Sequence, residues 1–155
     1  MASTVYPPAS AAGKTEFRTT LTSGTSYTVP AGVTYLNVLL VGGGGSGCQE
    51  SFTDRPTNPG YPGQTISSTL SVTAGASIAY AIGAGGAATS TNGSGNAGGT
   101  TTFTGATSAT GGLGGVRVAD AGVANKVSFA NNAGSGQGAA SGAGGNGFIV
   151  VEYWA

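Results

Sequence analysis

Histidine is absent from this chain of 155 residues. Without it, no Ser-His-Asp or Cys-His nucleophile system can be assembled. Cysteine occurs once, as Cys48, so no disulfide forms within the chain. A zinc site, which takes several Cys or His ligands, is excluded with it. Charge is also scarce. Five basic residues balance five acidic ones, and together they make up 6% of the chain, against roughly 25% in an ordinary domain. That balance lacks the basic stripe that nucleic acid requires and the polybasic patch that holds a protein on an anionic membrane. No run approaches the roughly 18 apolar residues of a membrane span, and residues 1–15 carry no apolar signal-peptide core. The expectation is a protein made in a cytoplasm, without nucleic-acid partner, membrane insertion or cofactor.

What remains offers little to catalysis. Glu50 and Asp54 are the only carboxylates close in sequence. Paired carboxylates serve glycoside hydrolysis or calcium binding, but two acids in a proline-flanked loop read first as solvated surface. Gly13-Lys14-Thr15 matches the end of a P-loop, yet the first glycine of that motif would fall at Pro8, and no strand precedes it. No catalytic residue and no metal ligand is expected, and the chain reads as a non-enzyme.

Glycine is what the chain has in excess, with 31 residues, about three times the usual share of roughly 7%. The apolar stretch 35–41 runs straight into Gly42, Gly43, Gly44 and Gly45. The spacing Gly42-x-Gly44-x-x-Gly47 fits a dinucleotide cradle, which works only where a helix follows to hold the pyrophosphate. Pro56 and Pro59 sit in the residues that follow, and proline keeps them from being a helix. The glycines therefore read as architecture. They recur in 42–47, 83–86, 93–99, 111–115 and 134–147. Two readings stand for these segments: flexible linkers, or extended backbones packed side by side because no side chain keeps them apart.

Between them lie strands. Period-two patterns predict strands over 16–21, 26–29, 35–41, 64–72, 77–82 and 148–154, with shorter ones at 100–105, 115–118 and 126–129, and no helical period anywhere. The 35–41 stretch is apolar on both faces and so reads as a central strand. Ile66, Ser68, Leu70 and Val72 share one face, and Ile78, Tyr80 and Ile82 point inward. The fold class is all-β, a small β-sandwich with glycine-rich, polyglycine-II-like segments. Residues 1–15 read as an extended N-terminal arm and 16–155 as the glycine-rich β domain. Pro7 and Pro8 exclude helix and central strand from the arm. Val5, Tyr6, Pro7 and Pro8 are its candidate anchor to another subunit, the alternative being an arm folded back on its own domain. Residues 48–63 are the one chemically varied stretch, and Phe52, Asp54, Arg55 and Tyr61 in it are the candidate receptor-binding residues. Aromatic and arginine side chains dominate recognition surfaces, although an ordinary packed loop remains the plainer reading.

The ordered series of motifs resembles the glycine-rich domains of bacteriophage tail fibres and adhesins. The stretch 26–47 carries the Tyr27-Thr28-Val29-Pro30-Ala31-Gly32-Val33 turn, then the strand and the glycine run. The stretches 70–75, 81–86, 101–105, 110–115 and 144–154 match the later pieces, so the resemblance covers about residues 16–155. It implies a virion structural protein of tail-fibre tip type, with loops between glycine segments touching the host surface. The expected partners are other virion proteins, further copies of the chain with a trimer as the assumed order, and a host surface glycan or outer-membrane protein. The alternative is a capsid decoration or head-fibre protein docked by its arm. Either way the expected location is the virion.

Overall fold

A computed structural model describes residues 13–49, 58–89, 93–117 and 142–155. The fold is all-β, with no helix among the described residues. Among the described residues seven strands form: β1 (Glu16–Leu21), β2 (Ser26–Thr28), β3 (Tyr35–Val41), β4 (Thr65–Ser71), β5 (Ser77–Ala81), β6 (Thr102–Phe103) and β7 (Phe148–Trp154). They make two antiparallel sheets, ordered β1-β7-β3-β4 and β2-β5-β6, which face each other as a small sandwich. β3 is an interior strand, paired with β4 from Tyr35↔Ser71 to Val41↔Thr65 and with β7 from Asn37↔Glu152 to Val41↔Phe148. Its apolar residues on both faces agree with that place.

The register selects the core. Leu36, Val38 and Leu40 of β3 lie on the same face as Ile149 and Val151 of β7, and all five are buried. They meet Val29, Val33, Tyr80, Phe103 and Ala109 from the facing sheet and its connections, with Ile66, Leu70 and Ile78 packed at the margin. Phe103 is the largest wholly buried side chain among the described residues. Its ring lies 6.2 Å from Tyr27 and 6.3 Å from Tyr80, the spacing at which aromatic pairs add stability beyond burial. Burial, with Tyr153 nearby, pushes the Tyr27 phenol above its ordinary 10.0. The Tyr80 hydroxyl donates to Ser23 O at 2.7 Å. Gly24, with φ of 98°, lies directly against that hydroxyl, so the turn between β1 and β2 takes glycine for both conformation and space.

Beyond the ends of β3, β4 and β7 the chain stays ordered without strand pairing. Segments 42–48, 58–64, 82–87, 93–100, 109–117 and 142–147 lie side by side as a bundle, with 42–48 at its centre. The central donors reveal the geometry. Gly42 N–H bonds Gln64 O, Gly43 bonds Gly99 O and Gly44 bonds Gly145 O. Then Gly45 returns to Tyr61 O, Ser46 to Asn96 O, Gly47 to Gly142 O and Cys48 to Asn58 O. Successive donors thus address three different neighbours and come back every third residue. That is the signature of a polyproline-II helix with three residues per turn, here bonded laterally between segments. Two further neighbours donate back: Gly112 and Gly115 to Gly43 O and Ser46 O, and Gly86 to Gly44 O.

The residue types follow from that geometry. The central segment is enclosed on every side, and residues 42–48 are all buried, so each position is Gly, Ser or Cys. Peripheral segments face inward with two residues per turn and outward with one. Ala84 and Ala87, Ala97 and Thr100, Leu113 and Val116, and Ala143 and Asn146 are the exposed third positions. An added Cβ at Gly43 would land on Ala84 O, at Gly45 on Leu113 O, at Gly60 on Gly45 O and at Gly144 on Gly44 O. In the described residues the glycine segments are packed backbone, which removes the linker reading there. Positions 134–141 lie outside the described residues.

Two hydroxyls complete the packing. Thr101, wholly buried, donates from Oγ1 to Val41 O at 2.7 Å and accepts from Gly83 N–H at 3.0 Å. It ties the last residue of β3 to the first turn of a neighbouring segment. Buried Ser46 accepts from Asn96 N–H at 2.7 Å.

The strands expected at 16–21, 35–41 and 148–154 form with those bounds. The one expected at 115–118 does not: residues 115–117 belong to the bundle, where their amides bond Ser46 and Ser94 rather than a ladder. The strand expected at 126–129 and the anchor residues Val5, Tyr6, Pro7 and Pro8 lie outside the described residues.

Candidate functional site

The bundle and the sandwich give the molecule two opposite ends. At the sandwich end the chain enters β1 beside the end of β7, where Thr15 and Ala155 exchange backbone hydrogen bonds of 2.8 and 3.1 Å. At the other end, about 20 Å beyond β3 by the ~3.1 Å rise of a threefold segment, the bundle closes on a ring of short contacts. Cys48 N–H donates to Asn58 O at 2.9 Å. Asn58 N–H returns to the Cys48 thiol at 3.0 Å. The Asn58 side-chain amide donates to Val116 O at 2.7 Å. Gln49 and Gly93 exchange bonds of 3.0 Å each, and Gly47 N–H reaches Gly142 O at 3.1 Å. Arg117 N–H meets Ser94 Oγ at 3.1 Å.

This ring has a specific topological content. Gln49 and Asn58 flank residues 50–57, Thr89 and Gly93 flank 90–92, and Arg117 and Gly142 flank 118–141. The bundle thus brings the flanks of three stretches to one end and ties them there through backbone and side-chain hydrogen bonds, Thr89 by its hydroxyl to Ser94 O at 3.3 Å. Arg117 is the only charged residue among the described residues of the bundle, so the ring is electrostatically bare apart from it. Cys48 is wholly buried and accepts a hydrogen bond, in keeping with a small packing residue.

The candidate receptor residues divide at this ring. Phe52, Asp54 and Arg55 lie outside the described residues. Tyr61 does not sit in a loop. It belongs to segment 58–64, half-buried, with its N–H bonded to Leu113 O at 2.8 Å and its carbonyl receiving Gly45 N–H at 2.9 Å. Sequence reasoning took 48–63 as one varied loop because the prolines and aromatics obscured its second half. The missed signal was Pro59-Gly60 followed by Pro62-Gly63, a glycine every third residue, which is the threefold period itself.

Open depressions also lie among the described residues. One, of about 380 Å³, lies between the ends of β4 and β5, lined by Leu70, Val72, Ala76 and Ile78. The other, of about 370 Å³, lies at the waist beside Thr22, Thr25, Ile82 and Asn146. Neither is lined by a titratable group. No group of His, Cys, Asp or Glu among the described residues is placed to hold a metal ion.

A family model described as a glycine-rich domain matches residues 19–148. The match begins within β1 and ends at the first residue of β7, so it spans the sandwich and the bundle together. No curated protein matches the chain.

Proposed function

The chain belongs to the glycine-rich domain family, and on that premise we propose that it is a bacteriophage virion structural protein of tail-fibre tip type. It binds the host surface through residues carried at the far end of its glycine bundle. The observation that supports this most is the convergence of three pairs of flanking residues on one ring, at Gln49/Asn58, Thr89/Gly93 and Arg117/Gly142, with Thr89 tied to it by its hydroxyl on Ser94 O. Binding residues are commonly held on connections that a rigid scaffold positions, and a backbone-bonded bundle is such a scaffold. Phe52, Asp54 and Arg55 fall in sequence between the first pair, and Arg and aromatic anchors carry most of the energy of typical interfaces. The partner is a host surface glycan or an outer-membrane protein.

The opposite end suits attachment. The chain enters β1 there, with Thr15 bonded to Ala155 at the sandwich end, away from the ring. Val5, Tyr6, Pro7 and Pro8 are the proposed anchor to other virion proteins, and the protein is located in the virion as a homo-oligomer.

Replacing Phe52 and Arg55 together with Ala tests the reading. Particles that keep their full complement of the protein are expected to adsorb to host cells at least about tenfold more slowly, the equivalent of roughly 1.4 kcal/mol. Tyr61 is left intact because its segment supports the bundle. Normal adsorption with lowered particle stability to heat would instead assign the protein to capsid decoration.

A further inference from the structure

The β1-β7-β3-β4 sheet turns Leu36, Val38 and Leu40 of β3 toward the core, so the alternate residues line its outer face. The register sets four of these in one row across all four strands: Arg18↔Glu152, Glu152↔Asn37 and Asn37↔Thr69. The row is bonded in two halves. Thr69 Oγ1 donates to Asn37 Oδ1 at 2.8 Å, and Arg18 Nε lies 3.2 Å from Glu152 Oε1. The halves do not bond to each other. Asn37 Nδ2 has no hydrogen-bond partner among the described residues, and the Glu152 carboxylate meets only Arg18. The next row toward the sandwich end holds Tyr35 and Trp154, each two residues along its strand from Asn37 and Glu152, with Ser71 and Glu16 opposite them. Tyr35 is 63% exposed and Trp154 half-buried. Two aromatic rings thus stand on an open face beside an amide and a carboxylate with hydrogen-bonding capacity to spare.

We propose that this face binds a neutral oligosaccharide, with sugar rings stacked on Tyr35 and Trp154 and their hydroxyls bonded to the Asn37–Glu152 row. Size, charge and chemistry select the occupant. Four strands ~4.8 Å apart and about seven residues long give the whole face roughly 450 Å², little more than half the ~800 Å² that each partner contributes to a stable protein interface. A single sugar chain needs no more than that. The face carries one basic residue, Arg18, and two acidic ones, Glu16 and Glu152, so it does not attract an anion. A hydroxyl both donates and accepts, and neighbouring hydroxyls of one pyranose can therefore meet the Asn37 amide as acceptor and the Glu152 carboxylate as donor. The C–H face of the same ring is apolar and covers Tyr35 or Trp154, side chains suited to a surface that is apolar on one side and wet on the other. The occupant is an extended chain lying flat, because β4 adds only Thr65, Ser67, Thr69 and Ser71 to this face and nothing large rises there to enclose a chain end. The face shares no residue with the ring at the far end of the bundle, so it stands or fails apart from the proposed recognition role.

Trp154 is the only tryptophan of the chain, so its fluorescence reports on this face directly. The full chain is titrated with cellohexaose and, in parallel, with N-acetylchitohexaose, both neutral extended chains. A saturable change in emission is expected with at least one of them. Tyr35→Ala should raise that dissociation constant at least about tenfold with an unchanged melting temperature, since the side chain is exposed. Tyr35→Phe, which keeps the ring, should bind as the wild type does, and so should Leu113→Ala, a change at an exposed position of the bundle. No saturable change with either sugar up to millimolar concentration overturns the proposal, as does binding indifferent to Tyr35→Ala. Self-association in sedimentation velocity that Tyr35→Ala abolishes would assign the face to a second copy of the chain and overturn it equally.

Discussion

Replacing Gly43 with Ala adds one methyl group at the centre of the bundle. The position is ordinary extended backbone, so the substitution introduces no conformational strain of its own. The Cβ would instead coincide with the backbone carbonyl of Ala84, which has no rotamer by which to move aside. Segment 82–87 must shift bodily, and overpacking of that kind costs about 1–3 kcal/mol. The shift also disturbs the bonds at the same residue, Gly43 N–H to Gly99 O at 2.9 Å and Gly112 N–H to Gly43 O at 2.8 Å. Each such bond contributes a net of about 0.5–1.5 kcal/mol. The combined loss is about 2–6 kcal/mol, against a total stability of roughly 5–15 kcal/mol for a domain. At about 2–4 °C per kcal/mol for this chain length, the melting temperature should fall by roughly 5–20 °C. Scanning calorimetry of Gly43→Ala beside Gly32→Ala separates the causes. Gly32 has φ of 78° and nothing within 4 Å of an added Cβ, so it reports backbone strain alone, about 1–2 kcal/mol. A flexible linker predicts the opposite sign at Gly43, because Ala restricts the unfolded chain and stabilises by about 0.4–1 kcal/mol. An unchanged or raised melting temperature in Gly43→Ala would refute the packed bundle.

Thr101→Val keeps the shape of the side chain but strips the hydroxyl from Val41 O and Gly83 N–H, leaving both buried; it should destabilise by about 1–3 kcal/mol in urea denaturation, and Thr101→Ser should recover most of the loss. Tyr27 has a folded pKa above the 10.0 of an unfolded chain, so its contribution to stability is full below pH 10 and is lost as pH rises through the folded value. Denaturation midpoints measured across that window should decline with pH, and Tyr27→Phe should flatten the decline; an equal slope in the variant would assign the effect to other groups.

The sandwich was legible in the sequence because its strands are bounded by turn residues and alternate cleanly. The 35–41 stretch is apolar enough on both faces to declare itself interior, and 148–154 reads as a strand with the bounds it takes. β6 was overestimated at 100–105: Thr101 pairs with Ala109 as an isolated bridge and the ladder holds only Thr102 and Phe103. The bundle was half legible. A glycine run reads equally as linker or as packing, and composition does not choose between them. The choice lies in the period. Gly111-Gly112-Leu113-Gly114-Gly115-Val116 spells two small residues and one large in each turn, which a linker has no reason to keep. The candidate site was the least legible part. Cys48, Gln49, Asn58 and Ser94 come to one end only because the bundle sets three segments side by side, and residues far apart in sequence, Gln49 with Gly93 and Asn58 with Val116 among them, show no mark of that neighbourhood.

The bundle also explains how so small an apolar core sustains a chain of this size. Each glycine costs about 0.5–1 kcal/mol more than alanine to order, so segments with this composition do not hold together one at a time. They are stable only where every turn is bonded to neighbours, and the central segment meets that condition by donating from every residue between Gly42 and Cys48. Its first residue follows the last of β3 without a break, and the 58–64 and 142–147 segments run likewise into β4 and β7. Thr101 adds a side-chain tie across the same junction. The sandwich therefore sets the register of the bundle, and the bundle carries that register to the ring at Gln49, Asn58 and Arg117. On the proposed recognition role, residues flanked by such a ring have bases fixed by hydrogen bonds within the bundle. Their own sequence can then change without loss of the fold, which is the property a surface that must track a changing partner requires.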